Sequence, residues 1–193
     1  MCFFIGQALM CIFIPRFQDK YGRKKVFLVS SSINFMTLLM ITILPSHTSK
    51  MALSSDSALK VLDILFFING LATPGRCLTG YTYFQELFPE EAQNMIGTVQ
   101  MIVEGTIYIG LTYFWMKLNY SWRWTMFLAC FMNVIGIMFT VLMLPDSPKW
   151  LFENQRYREC LHAIKSMATI NRSRNIIPSS DEYEQIKNTQ DSE

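Results

Sequence analysis

The feature that most restricts this chain is the way its charges fall into islands separated by long apolar runs. Residues 26–44 and 124–144 contain no charged side chain, and residues 1–15 contain none either. The hydrocarbon core of a bilayer is about 30 Å thick and takes roughly 20 consecutive apolar residues per helix. Only 17% of the 193 residues are charged, against about 25% in an ordinary soluble domain. In lipid, a run of this length must satisfy its own backbone N–H and C=O groups, which a helix does. The period-two alternation of a membrane barrel strand is absent from residues 134–144. The expected fold class is therefore all-α: a polytopic membrane helix bundle. A soluble all-α core, and a signal peptide over residues 1–15, are the competing readings; no basic stretch precedes residues 1–15 and no small-residue cleavage site follows them.

Five spans are expected, at about residues 1–15, 26–44, 59–88, 95–116 and 124–144, so that residues 1–145 form a membrane bundle. The third span is the most polar, with Gly70, Gly75, Gly80 and Pro74. Residues 146–193 read as a cytoplasmic loop and tail. An amphipathic helix is expected over about 149–168, with Trp150, Leu151, Leu161, Ile164 and Met167 on one face. The tail beyond it is polar, with a further helix start at 181–187 and an unstructured end. Basic residues set the orientation. Arg16, Lys20, Arg23, Lys24 and Lys25 share one side with the seven Lys or Arg from Lys149 onward, while Lys50, Lys60, Lys117 and Arg123 lie on the other. The first set is assigned to the cytoplasm. The connection at 86–94 shares that side, although Glu86, Glu90 and Glu91 make it acidic.

Cys2, Cys11, Cys77, Cys130 and Cys160 fit no zinc or disulfide spacing and read as small apolar residues. No His cluster, Ser/His/Asp arrangement or phosphate-cradling Gly loop is present, so neither an enzyme nor a metal or other cofactor is expected, and nothing points to nucleic acid. Asn34, Asn69 and Asn133 are polar groups within spans, suited to hydrogen bonding across helices. Asn119-Tyr120-Ser121 is a glycosylation triplet on the outer side, in a very short loop.

The most specific local pattern is Asp19-Lys20-Tyr21-Gly22-Arg23-Lys24-Lys25 between the first two spans. Gly22 permits a tight turn. Asp19 suits the positive end of a neighbouring helix, and Arg23 offers a planar fork to a carboxylate. This pattern resembles the signature between helices two and three of the major facilitator superfamily, in which Asp19, Lys20, Gly22, Arg23, Lys24 and Lys25 match and Pro15 replaces the first glycine. Tyr83-Phe84-Gln85-Glu86-Leu87-Phe88-Pro89 is similar to the end of helix four in the sugar-porter and organic-ion branches. Trp122-Arg123-Trp124 resembles the start of helix six there, and Pro145-Asp146-Ser147-Pro148-Lys149-Trp150-Leu151 the segment after it.

The resemblance covers residues 1 to about 170 as helices two to six, and implies an N-terminal-half fragment lacking helix one and the second half-bundle. It also implies a secondary transporter of a sugar or organic ion working by alternating access. Its partners would be a small-molecule solute, the lipid bilayer and a coupled proton or ion. Asp19, Lys20, Gly22, Arg23, Lys24, Glu86, Asp146, Ser147 and Lys149 would then form the gating motif, with Arg23, Glu86, Asp146 and Lys149 as an ion-pair cluster closing the cytoplasmic side. Arg76 and Glu104 each lie about nine or ten residues from that side, ~14 Å deep. Ionisable groups at such depth are costly and usually face a bundle interior. They are the substrate-binding or coupling candidates, with Tyr83 and Tyr108 as aromatic neighbours; Tyr81 and Tyr113 lie nearby. A purely structural Arg76–Glu104 pair is the alternative. Met101 stands where sugar porters carry a Gln, which weakens a hexose assignment, and Arg76 and Glu104, read as buried, tilt the choice towards an organic ion. A non-transporting receptor, an accessory subunit or a non-functional fragment remain as alternative roles.

Overall fold

The computed structural model describes residues 1–43, 55–118 and 122–170. The expectations for the glycosylation triplet and for the tail from residue 171 onward lie outside them. Among the described residues there are helices and no strands. Five long helices come first: α1 (Cys2–Tyr21), α2 (Arg23–Ile43), α3 (Ser55–Glu86), α4 (Glu90–Leu118) and α5 (Trp122–Met143). Two short ones follow, α6 (Pro148–Glu153) and α7 (Tyr157–Ile170). The chain divides into two compact units, Met1–Leu144 and Pro145–Glu193.

In the first unit, α1 and α3 run side by side in the same direction, because small residues let their backbones meet. A Cβ built on Gly6 would lie 2.5 Å from the Phe67 carbonyl oxygen, and one on Gly70 would fall on the Phe3 carbonyl. At the other end Gln18 and Thr82 approach to 3.5 Å. Helix α2 runs antiparallel to both and closes on α3 at Gly75, where a Cβ would strike the Ser30 hydroxyl. Without a hydrophobic drive between helices in lipid, such small-residue contacts supply the packing. Helix α5 packs on α2, and α4 meets α3 at Gly97, where a Cβ would come within 2.8 Å of the Tyr81 hydroxyl oxygen.

The bundle buries polar side chains beside apolar ones such as Ile14, Ile41 and Leu65, and its outer surface is apolar. Ser30, Ser31, Asn34, Thr37, Asn69 and Thr79 are buried, whereas Ile107, Ile109, Phe131, Phe139 and Leu142 are exposed. A water-soluble fold rarely exposes so much contiguous apolar surface, whereas a bundle solvated by lipid tails does. Helices α2, α3, α4 and α5 each contain a stretch long and apolar enough to cross a membrane. Helix α1, over the first expected span, is not among them; its last turns carry Arg16, Gln18, Asp19 and Lys20.

Two expected boundaries move. The first segment does not end near Pro15: α1 continues through it to Tyr21. Proline removes one backbone donor and kinks a helix, but neighbouring helices in a membrane bundle make up for it. The basic hinge consequently shrinks to Gly22 alone. The connection after α3 likewise contracts to residues 87–89.

In the second unit, the single amphipathic helix expected over 149–168 is two helices. Arg156 N–H donates to the Leu151 carbonyl and Gln155 N–H to that of Phe152, at 2.9 and 3.0 Å, and Gln155 has φ 58°. This is a Schellman ending, with Gln in the left-handed position that glycine usually takes. The break folds α7 back on α6, so the buried set is Trp150, Leu151, Cys160 and Ala163, while Leu161, Ile164 and Met167 are only half-buried.

Candidate functional site

The charged end of the first unit is built around Gly22. Its φ of 95° and ψ of 147° lie in a region that glycine alone adopts freely. Gly22 N–H donates to Gln18 O at 3.1 Å and its carbonyl accepts from Val26 N–H at 3.2 Å, so the last turn of α1 and the first of α2 share one residue. This places Asp19 and Arg23 four residues apart across the joint.

Arg23 turns inward. Its Nε donates to Glu86 Oε1 at 3.0 Å, and its Nη2 lies 3.3 Å from Asp19 Oδ1. The Arg23 and Glu86 side chains are 10% and 14% exposed, whereas Asp19 is 65% exposed. One guanidinium thus ties α1, α2 and the end of α3 together. A fork with several planar donors suits this position, where a lysine would reach one carboxylate at a time. Arg23 also occupies the first position of α2, where the helix dipole disfavours a cation; the two carboxylates offset that. Lys24 Nζ donates to the Leu144 carbonyl at 2.6 Å, capping the C-terminal end of α5, where helix carbonyls lack intrahelical partners. Lys20 lies over the Tyr21 ring, 5.4 Å from its centroid.

The rest of the expected gating set lies in the second unit. Ser147 is buried, and its hydroxyl accepts from Trp150 N–H at 3.3 Å as the N-cap of α6, with Pro148 at the first helical position. Asp146 is half-buried just before the cap and Lys149 is exposed.

The deeper candidates are dispersed. Arg76 on α3 and Glu104 on α4 are both exposed, and no ion pair joins them among the described residues. Tyr108, one turn along α4 from Glu104, is 64% exposed, while Tyr83 is 2% exposed within the bundle. Equal depth along antiparallel helices fixes the height of two residues but not the direction each faces. Tyr81 has a defined place: its hydroxyl accepts from Gln85 Nε2 at 2.8 Å against Gly97.

At mid-depth the three asparagines form one chain. Asn133 Nδ2 donates to Asn34 Oδ1 at 2.8 Å, and Asn34 Nδ2 donates to Asn69 Oδ1 at 2.5 Å, joining α5, α2 and α3. Sequence reasoning missed the Lys24–Leu144 tie and the Tyr81–Gln85–Gly97 contact. A lysine at a helix start facing another helix's last carbonyl carries no spacing signal, but Tyr81 and Gln85 at i,i+4 do.

A sequence profile of the Major Facilitator Superfamily matches residues 1–177. The chain is 27% identical to the major myo-inositol transporter IolT of Bacillus subtilis over 172 residues, which are 84% of this chain and 33% of that protein. It is 27% identical to the glucose transporter GlcP of Staphylococcus epidermidis over 153 residues, 76% of this chain and 30% of the other. It is also 27% identical to solute carrier family 22 member 7 of Mus musculus over 176 residues, 88% and 29% respectively. The chain thus spans about a third of the length of these relatives. With its lipid-exposed apolar helices, its charged one-residue hinge and a profile match over most of its length, this multi-pass membrane chain belongs to the major facilitator superfamily.

Proposed function

We propose that the protein takes part in moving a small organic solute across a membrane by alternating access, with Asp19, Arg23 and Glu86 as a latch at the cytoplasmic end. The observation that supports this reading most directly is the Arg23 fork, which ties three helices at one end of the bundle. A latch of this kind must form and break in each cycle, so its net energy has to be small. An ion pair can meet that need because desolvation cancels much of its Coulomb attraction. In this reading residues 1–145 lie in the membrane and residues 146–193 in the cytoplasm. No covalent chemistry is assigned to the chain.

Two of the relatives are named for uncharged solutes, myo-inositol and glucose. Met101 in place of the glutamine of sugar porters weakens a hexose reading, and ionisable residues within two spans, Arg76 on α3 and Glu104 on α4, suit an organic ion instead. Glu104 with Tyr108 one turn away offers a carboxylate and a ring, which together suit an organic cation.

The test is uptake into vesicles reconstituted with the full-length protein, using a hexose, myo-inositol, an organic cation and an organic anion. Accumulation of the cation, reduced severalfold by Glu104→Gln with a changed pH dependence, is expected. Transport and pH profile unchanged by that substitution would remove Glu104 from the site. A ligand that binds without crossing would replace transport by a receptor role.

A further inference from the structure

We propose that the groove between α1, α2 and α3 holds one acyl chain of an anionic phospholipid from the cytoplasmic leaflet, with the lipid phosphate held by Lys25 and Lys20. The groove has a volume of about 590 Å³ and is lined by Met10, Ile14 and Phe17 of α1, Val29 and Ile33 of α2, and Leu71 of α3. That volume lies within the roughly 300–1,000 Å³ typical of sites for a single small ligand. Lys25 and Tyr21 stand at one end, and Lys25 is the only charged residue in the lining. Val29 is 60% exposed and Phe17 40% exposed, so the apolar walls are open to the surrounding medium.

Two features favour an acyl chain over other occupants. The first is length. Met10 to Tyr21 on α1 spans roughly 16 Å at about 1.5 Å per residue, about half the ~30 Å hydrocarbon core, which is one leaflet. The second is charge. Of the hinge cations, Arg23 and Lys24 are engaged inside the bundle, with Asp19, Glu86 and the Leu144 carbonyl. Lys25 has no carboxylate partner among the described residues, and Lys20 lies over the Tyr21 ring that helps form the mouth. An apolar slot one leaflet deep with cations at its cytoplasmic end complements an anionic headgroup above a hydrocarbon tail. Anionic lipids are concentrated in that leaflet and attract basic residues near its surface. The inference rests on the cytoplasmic placement of the hinge, and not on transport.

The experiment uses the full-length protein in phosphatidylcholine vesicles doped with a phosphatidylglycerol that carries a photoactivatable diazirine on its acyl chain. After irradiation, peptide mass spectrometry should place adducts on Met10, Val29 and Ile33 in preference to lipid-exposed Ile107 and Phe131. Val29→Trp should fill the slot and abolish those adducts, as should Ile33→Trp if the first variant does not fold. Lys25→Gln should lower labelling about fivefold, the effect of losing one near-surface cation beside an anionic leaflet. A phosphatidylcholine probe that labels the groove equally well would overturn the headgroup assignment. Adducts spread evenly over all exposed helices would overturn the site. Groove residues protected from the probe and cross-linked to another stretch of protein would show a protein occupant and equally defeat the proposal.

Discussion

Replacing Asn34 by Leu keeps the bulk of the side chain but deletes both links of the asparagine chain, since Asn34 accepts from Asn133 and donates to Asn69. A hydrogen bond between membrane helices contributes about 0.6 kcal/mol on average and up to ~1.7. Asn69→Leu and Asn133→Leu each delete one bond and should each cost about 0.6 kcal/mol, while Asn34→Leu should cost about 1.2. The partner atoms left unsatisfied by Asn34→Leu, on buried Asn69 (Oδ1) and half-buried Asn133 (Nδ2), raise that towards ~3 kcal/mol if water cannot reach them. The distinctive expectation is a ratio: the central substitution should cost at least the sum of the two terminal ones. Reversible unfolding in mixed micelles, with SDS as titrant and tryptophan fluorescence as readout, measures all three. If Asn34→Leu proved no worse than either end, the three residues would be acting separately and the chain would have no collective weight.

Two further comparisons use the same titration. Gly70→Leu puts side-chain atoms onto the Phe3 carbonyl and should cost about 1–3 kcal/mol through overpacking. Gly136→Ala, with nothing within 4 Å of the new Cβ, should be neutral or stabilise by up to about 1 kcal/mol through helix propensity. Of the two carboxylates on Arg23, Glu86→Gln removes the charge facing a largely buried guanidinium and should cost up to about 3 kcal/mol. Asp19→Asn alters a pair whose acidic member is 65% exposed and should cost about 0–1 kcal/mol; equal losses would refute the difference in burial.

The helices were legible because charge-free runs leave little alternative in lipid. Asp19, Gly22 and Arg23 could be read as a unit because their spacing is local and a positive-φ glycine has few substitutes. Asn34, Asn69 and Asn133 were visible as polar residues that a bilayer would reject unless paired. What stayed hidden depends on rotation and on exceptions to local rules. Arg76 and Glu104 share a depth, but nothing in a one-dimensional pattern says which way either helix faces. Pro15 followed by Arg16 looks like a helix end, and only the packing of α1 against α3 keeps the helix going. The break at Gln155 has no glycine to mark it, and the apolar periodicity on either side reads smoothly across it.

The one-residue joint at Gly22 also sets the phase of everything after it along α2. A helix turns about 100° with each residue at 3.6 residues per turn. Adding a single residue there would rotate α2 by that amount or force slack into the joint. Asn34 stands twelve residues further on, and a rotation of that size would take its amide away from both Asn69 and Asn133. The charged corner therefore acts as an indexing pin, fixing from one end of the bundle which face α2 shows to its neighbours halfway along.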